Sequence, residues 1–288
     1  MFIVKIFDMT IYLFDSEAAN DFGLRIFNYL RFMNLYRYDH TFEGLLTLVF
    51  ESYARKCFPH KILAEGEALP LFYESYFEVI TDENKARRVW DGLHKKLSKE
   101  ACGMLSVVFL SELDEVEMLL FRYMQKAFAA PKSIEVNFAD PDVLECSKIY
   151  RKVCREAERM RMFVRFQKMA DGVFFAPIEP KYNVLSLVAD FFTDRFGDQK
   201  WIIYDMTRQY GLFYDLHKTE QVHFDSLDFD TETGKLRDGQ AAVDEKLFQQ
   251  LWKTYFHSVT IEARKNLKLQ QQHLPKRFWK YLPEKQNN

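Results

Sequence analysis

The chain has no Cys-x-x-Cys pair, little glycine or proline, and no apolar run of the length a bilayer requires. Each absence removes a class of protein. The four cysteines, Cys57, Cys102, Cys146 and Cys154, lack the spacing of zinc ribbons and iron–sulfur clusters. A disulfide framework is not expected in a chain this long, so they read as reduced thiols. Ten Gly and eight Pro in 288 residues argue against a loop-rich or repeat architecture, and no internal repeat is found. The apolar residues 1–14 are interrupted by Asp8 and lead to no small-x-small cleavage site, so they do not read as a signal peptide. With no membrane-span candidate the protein is expected to be cytoplasmic and without a membrane partner. No Gly-x-Gly-x-x-Gly, Walker loop, His-Glu-x-x-His or Gly-x-Ser-x-Gly occurs. The seven histidines are scattered, and His217 and His223 lack a third ligand, so no metal site and no cofactor is expected.

What is present is a large apolar and aromatic fraction and an uneven charge. Apolar residues make up 48% and aromatics 16%, enough for a sizeable core. The net charge of −2 hides an asymmetry. Residues 148–168 hold eight Lys/Arg against two acids, and residues 261–288 hold seven against two. These windows together carry +11 and the remainder −13, so a positive face suited to a polyanion is compatible with the near-neutral total.

Periodicity and capping residues predict the elements. Met33 and the strand-like residues after it read as a natural start, with 1–32 as an N-terminal extension or, alternatively, an amphipathic helix over 15–31. Thr41 caps a helix over 42–56, with Leu45, Leu46, Val49 and Tyr53 at helical spacing. Residues 62–76, which contain Gly66 and Pro70, read as irregular. Asp82 caps a helix to 97, and Ser98 one long helix to 128. Asp140-Pro141 starts a helix to about 161. Its buried stripe is Ile149, Val153, Ala157 and Met160, while Lys148, Lys152, Arg155 and Arg159 share an adjacent face. Period two then predicts a strand over 163–167, an Asp171-Gly172 hairpin turn and a return strand over 173–178. A helix over 184–196 with Gly197 as its C-cap follows, then strands over 201–205, 211–215 and 221–229. A loop over 231–240 precedes a helix over 241–261 that turns Leu247, Leu251, Tyr255 and Val259 inward. The fold class is α+β, with a helical N-terminal half and a small, mainly antiparallel sheet flanked by helices in the C-terminal half. Residues 33–288 are expected to form a single domain, with a helical part over 33–161 and a sheet-containing part over 162–288.

Two constellations carry candidate chemistry. Asp171, Glu179 and Lys181, with Asp205 at the next strand end, resemble the carboxylates and lysine with which nucleases hold Mg²⁺ and position hydroxide. Against this, Pro180 would break a strand ladder and Asp171 serves an Asp-Gly turn for conformational reasons. The spacing Asp228-x-Asp230-x-Glu232 fits a calcium loop poorly, its glycine falling one place late at Gly234. The second constellation is cationic. Lys152, Arg155, Arg159, Arg161 and Arg165 are candidates for phosphate contacts, with Arg264, Lys276 and Arg277 as a second wall and Trp279 or Tyr281 to stack on a base. The competing reading is a pair of solvated helix faces, or a basic helix that meets an acidic protein partner.

Ordered motifs add a resemblance. Tyr38-Asp39-x-Thr41-Phe42-Glu43-Gly44, Arg151-Lys-Val-x-Arg155-Glu156-Ala157-x-Arg159-Met160 and Phe163-Val-Arg165-Phe166 begin the series. Asp171-Gly172, Ile178-Glu179-Pro180, Asp194-Arg195-Phe196 and Trp201-Ile-Ile-Tyr204-Asp205 continue it. Leu251-Trp252-x-x-Tyr255-Phe256, Arg264-x-Asn266, Pro275 and Trp279 close it. From about Tyr38 to Glu284 the chain resembles the bacterial family called domain of unknown function 4130, linked to DNA metabolism and DNA repair. The resemblance implies DNA as a partner, beside a radical SAM protein of DNA repair, and a domain elsewhere joined to one of uracil-DNA glycosylase type. It brings no catalytic residues. The chain has neither a cluster-binding cysteine set nor the glycosylase domain, so such chemistry would belong to the partner.

Overall fold

In the computed structural model the described residues are 2–6, 9–13, 33–224, 229–230, 235–236, 239, 241–261, 264 and 266–286. They divide into two compact units, one of Met1–Phe109 with Leu113–Lys148 and one of Leu110–Glu112 with Ile149–Asn288.

In the first unit β1 (Phe2–Ile6) and β2 (Met9–Leu13) form an antiparallel pair. The anticipated strand before Thr41 is β3 (Asn34–Tyr38), and α1 (Phe42–Arg55) follows it. The Thr41 hydroxyl accepts from the Gly44 amide as the N-cap, and Asp39 in turn accepts from Thr41 and Thr81. The segment expected to be irregular instead contains β4 (Lys61–Ala64) and ends by entering β5 (Ser75–Glu78). Both pair parallel to β3, in the order β4-β3-β5. Gly66 and Pro70 lie in the connection, so their turn chemistry was read correctly while the strands beside them were masked by it. Helix α2 (Glu83–His94) starts at Asp82, whose carboxylate accepts from two backbone amides.

The single helix expected over 98–128 is two, α3 (Lys99–Phe109) and α4 (Val116–Ala129). Glu112 and Glu115 between them have φ of 48° and 60°, left-handed conformations that end one helix and restart another. Residues 110–112 belong to the second unit, where the Leu110 carbonyl accepts from the Asn183 amide. Helix α5 (Pro141–Phe163) is initiated as expected, with Asp140 accepting from the amides of Asp142 and Val143.

The second unit holds a five-stranded sheet in the order β10-β9-β8-β7-β6. Its strands are β6 (Gln167–Lys168), β7 (Phe174–Ile178), β8 (Trp201–Asp205), β9 (Tyr210–Tyr214) and β10 (Thr219–Val222). Three pairings are antiparallel; β7 and β8 are parallel, joined through α6 (Leu185–Arg195). Gly172, at φ 87°, makes the β6–β7 turn. The strand expected over 163–167 shrinks to two residues because α5 continues to Phe163, whose ring packs on Phe278 at 5.5 Å. Arg165 caps that helix end by donating to the carbonyls of Met162 and Val164. A Cβ at Gly211 would stand 2.8 Å from the Ile203 carbonyl, so β9 crosses β8 closely only with glycine there. Trp201, Ile203, Tyr204, Phe175, Val188 and Phe192 form the buried centre. The C-cap of α6 is Phe196 and not Gly197. The expected strand over 221–229 ends at Val222, and β11 (Phe229–Asp230) pairs with β12 (Lys235–Leu236) instead. The helical alternative for 15–31, most of the 231–240 loop, and Asp228 and Glu232 of the weak calcium spacing lie outside the described residues.

Helix α7 (Glu245–Val259) corrects one expectation outright. Leu247, Leu251, Tyr255 and Val259 are all more than half exposed. Glu245 is buried and Gln249 half-buried, while Phe248 and Trp252, one residue round the helix from Leu247 and Leu251, line a cavity and stay exposed. Two polar contacts set that rotation: Glu245 accepts from the Lys168 amide, and the Trp252 indole donates to Glu284 at 2.9 Å. Helix α8 (Leu267–His273) and short 3-10 turns over Lys276–Tyr281 and Pro283–Lys285 complete the chain.

Candidate nucleic-acid interface

Within the second unit, α5 buries Ile149, Val153, Ala157 and Met160, the stripe its periodicity predicts. Lys152 and Arg155 are therefore turned to solvent. Glu156 is buried, at 2% exposure. Its carboxylate accepts from the Lys181 amide at 2.8 Å and from Arg277, and Arg159 lies 3.5 Å away. Glu156 thus joins the two cationic windows: one carboxylate stands between two guanidinium groups, and the cluster is left positive.

A second carboxylate also ties the two windows together. Glu284 accepts from Arg165 at 2.9 Å through one oxygen and from Trp252 through the other. The Arg165 guanidinium lies 5.5 Å from the Trp252 ring centroid, within cation–π range. Arg161 is turned to the α6 side, where it donates to the Leu187 carbonyl and pairs with Glu158. Lys276 and Arg264 are exposed. Of the candidate stacking rings, Tyr281 is buried, so it is not presented to a base. Trp279 is half-buried, donates to the Leu274 carbonyl and has the Lys285 ammonium 5.2 Å from its ring.

The carboxylate constellation does not assemble as the sequence suggested. Asp171 accepts from the Val173 amide in the β6–β7 turn, while Glu179 follows the far end of β7. Five strand residues at about 3.3 Å each stand between them. Glu179 pairs with Lys280 at 2.6 Å. The Lys181 ammonium rests against the Tyr182 ring. Asp205, wholly buried, accepts from the amides of Thr207 and Arg208 and from the Arg208 guanidinium, which also holds Glu112. Burial outweighs those bonds and raises the Asp205 carboxyl above its ordinary value. Tyr210, beside it, is pushed up to about 12, by burial first and then by the Asp205 charge. Among the described residues no three His, Cys, Asp or Glu side chains are grouped to hold a metal ion. All four cysteines are free thiols, and burial pushes Cys146 up to about 12.

The matching family model covers residues 114–284, a domain of unknown function, DUF4130. The chain belongs to the DUF4130 family. The matched span contains Glu156, Arg159, Arg165, Trp252, Arg277 and Glu284, so the whole Glu156–Glu284 region lies in the family domain. The Tyr38–Gly44 motif lies before it. No curated protein and no solved structure matches the chain. No helix among the described residues is long and apolar enough to cross a membrane.

Sequence reasoning missed Glu156, Glu284 and Trp252 as members of the site. Glu156 had a readable signal. It is one of only two acids in the 148–168 window and lies next to the buried stripe, where an acid needs a cationic partner. The pairing of Glu284 with Arg165, 119 residues away, had none.

Proposed function

We propose that the protein is a nucleic-acid-binding accessory in DNA metabolism or repair, acting beside a radical SAM or glycosylase-type enzyme that supplies the chemistry. The observation that carries the binding reading is the Glu156 cluster, which draws Arg159 and Arg277 from two distant cationic windows onto one carboxylate. Lys152 and Arg155 on the helix that carries Glu156, and Lys276 next to Arg277, are exposed cations for a strand laid there. The link to repair rests on the resemblance of the ordered motifs.

The test uses exposed cations, because Arg159, Arg165 and Arg277 also hold buried carboxylates. Affinity for a DNA oligonucleotide is measured by anisotropy across a salt series. Lys152→Gln, Arg155→Gln and Lys276→Gln together are expected to lower the log–log slope by about two to three. An unchanged slope removes this surface. Absence of any salt-sensitive retention of DNA leaves an acidic protein partner as the reading.

A further inference from the structure

The second unit contains a cavity of about 760 Å³ within the size range of small-ligand sites. Four of its lining residues are aromatic: Phe166, Phe174, Phe248 and Trp252. Two others are cationic, Arg165 and Lys168, and both come from the first basic window. The groups are held by their own bonds. Arg165 lies over the Trp252 ring and is tied to Glu284, which also takes the indole N–H. Glu245, 7% exposed, accepts from the Lys168 amide and from the Gln249 side chain. Phe248 is held by none of these bonds and is 56% exposed, so its ring is open to a ligand.

The proposed phosphate track shares helix α5 with the cavity. Met162 lines it and lies seven residues beyond Arg155 on the same helix, about 10 Å at 1.5 Å per residue. Flat aromatic walls take a flat ring, and Lys168, about one-third exposed and 3.5 Å from Asp244, exchanges that long contact for the phosphate attached to the ring. We propose that this cavity receives a single nucleobase unstacked from a nucleic-acid strand, with Phe248 and Trp252 as the stacking surfaces and Lys168 toward its phosphate. The inference rests on the nucleic-acid reading and adds the part of the strand that is read. A base already unpaired enters without the cost of extrusion, so single-stranded DNA is the favoured form.

The test compares two oligonucleotides with the full chain: oligothymidylate of twelve residues, and a backbone of equal length whose sugars carry no bases. Phe248→Ala is the variant, since an exposed ring contributes little to folding. Its expected effect is a loss of about fivefold or more in affinity for oligothymidylate, with affinity for the baseless strand unchanged. Equal loss on both strands, or no loss on either, overturns the cavity assignment and leaves the phosphate surface standing. The Lys152→Gln, Arg155→Gln and Lys276→Gln protein should instead weaken on both strands. If the unaltered protein binds neither strand, the nucleic-acid reading and the cavity assignment both fall.

Discussion

The first unit and the Glu156 cluster of the second handle charge in opposite ways. In the first, cations and carboxylates are matched where they meet: Arg122 and Lys126 are bound to Asp142, and Lys126 also to Asp140, at the start of α5. Lys85 and Arg55 similarly share Glu51 and Asp82, Lys85 lying between the two carboxylates. In the second, Glu156 has two guanidinium groups beside it. Neutral pairing closes a fold on itself. Unequal pairing leaves positive potential at the surface while still fixing the side chains that carry it.

The largest expected break in this comparison is at Glu156. Glu156→Gln leaves the partly exposed Arg159 and Arg277 without their shared charge and should cost about 2–3 kcal/mol by urea unfolding. A loss below about 1 kcal/mol would mean that the cluster does not hold the second unit together.

Two aspartates sharpen the contrast. Burial alone would raise Asp142, but Arg122 and Lys126 overcome it and hold the carboxyl below 3.8. Lys126 lowers Asp140 likewise. A depressed carboxyl lends stability that is complete above its ordinary value and disappears as pH falls through the folded one. The raised Asp205 has the reverse sign: its contribution is fullest in acid and is lost as pH rises from 3.8 through its folded value. Asp142→Asn should therefore cost about 2 kcal/mol at neutral pH. Asp205→Asn should cost less than about 1 kcal/mol, because the amide keeps an acceptor for Thr207 and Arg208 and sheds a buried charge. Denaturant unfolding at pH 7 and pH 3 checks both, and equal losses for the two variants at pH 7 would erase the distinction.

The smallest effect is expected at the exposed cations. Lys152→Gln and Arg155→Gln should change stability by no more than about 0.5 kcal/mol. A larger loss would show that these residues brace the helix rather than face a ligand.

Much of the fold was legible because its signals are local. Thr41, Asp82 and Asp140 cap the helices that follow them, each accepting from an amide two or three residues on. The basic face of α5 followed from its apolar stripe. The three-stranded parallel sheet around β3 was not legible, since its strands pair across connections that contain Gly66 and Pro70 or a whole helix. The rotation of α7 was not legible either. Its apolar residues admit more than one inward face, and the contacts of Glu245 and Trp252 with distant partners choose between them.

From its amino-acid order alone the chain determined where the helices after Thr41, Asp82 and Asp140 begin, which stripe of α5 is buried and where positive charge accumulates along its length. Those properties act over a few residues, within reach of one helical turn. Tertiary structure decided that Arg277 would meet Glu156 across 121 residues, and that Asp171 would stand at the opposite end of a strand from Glu179. Such meetings depend on how strands pair and helices turn, and no pattern within a single segment encodes them.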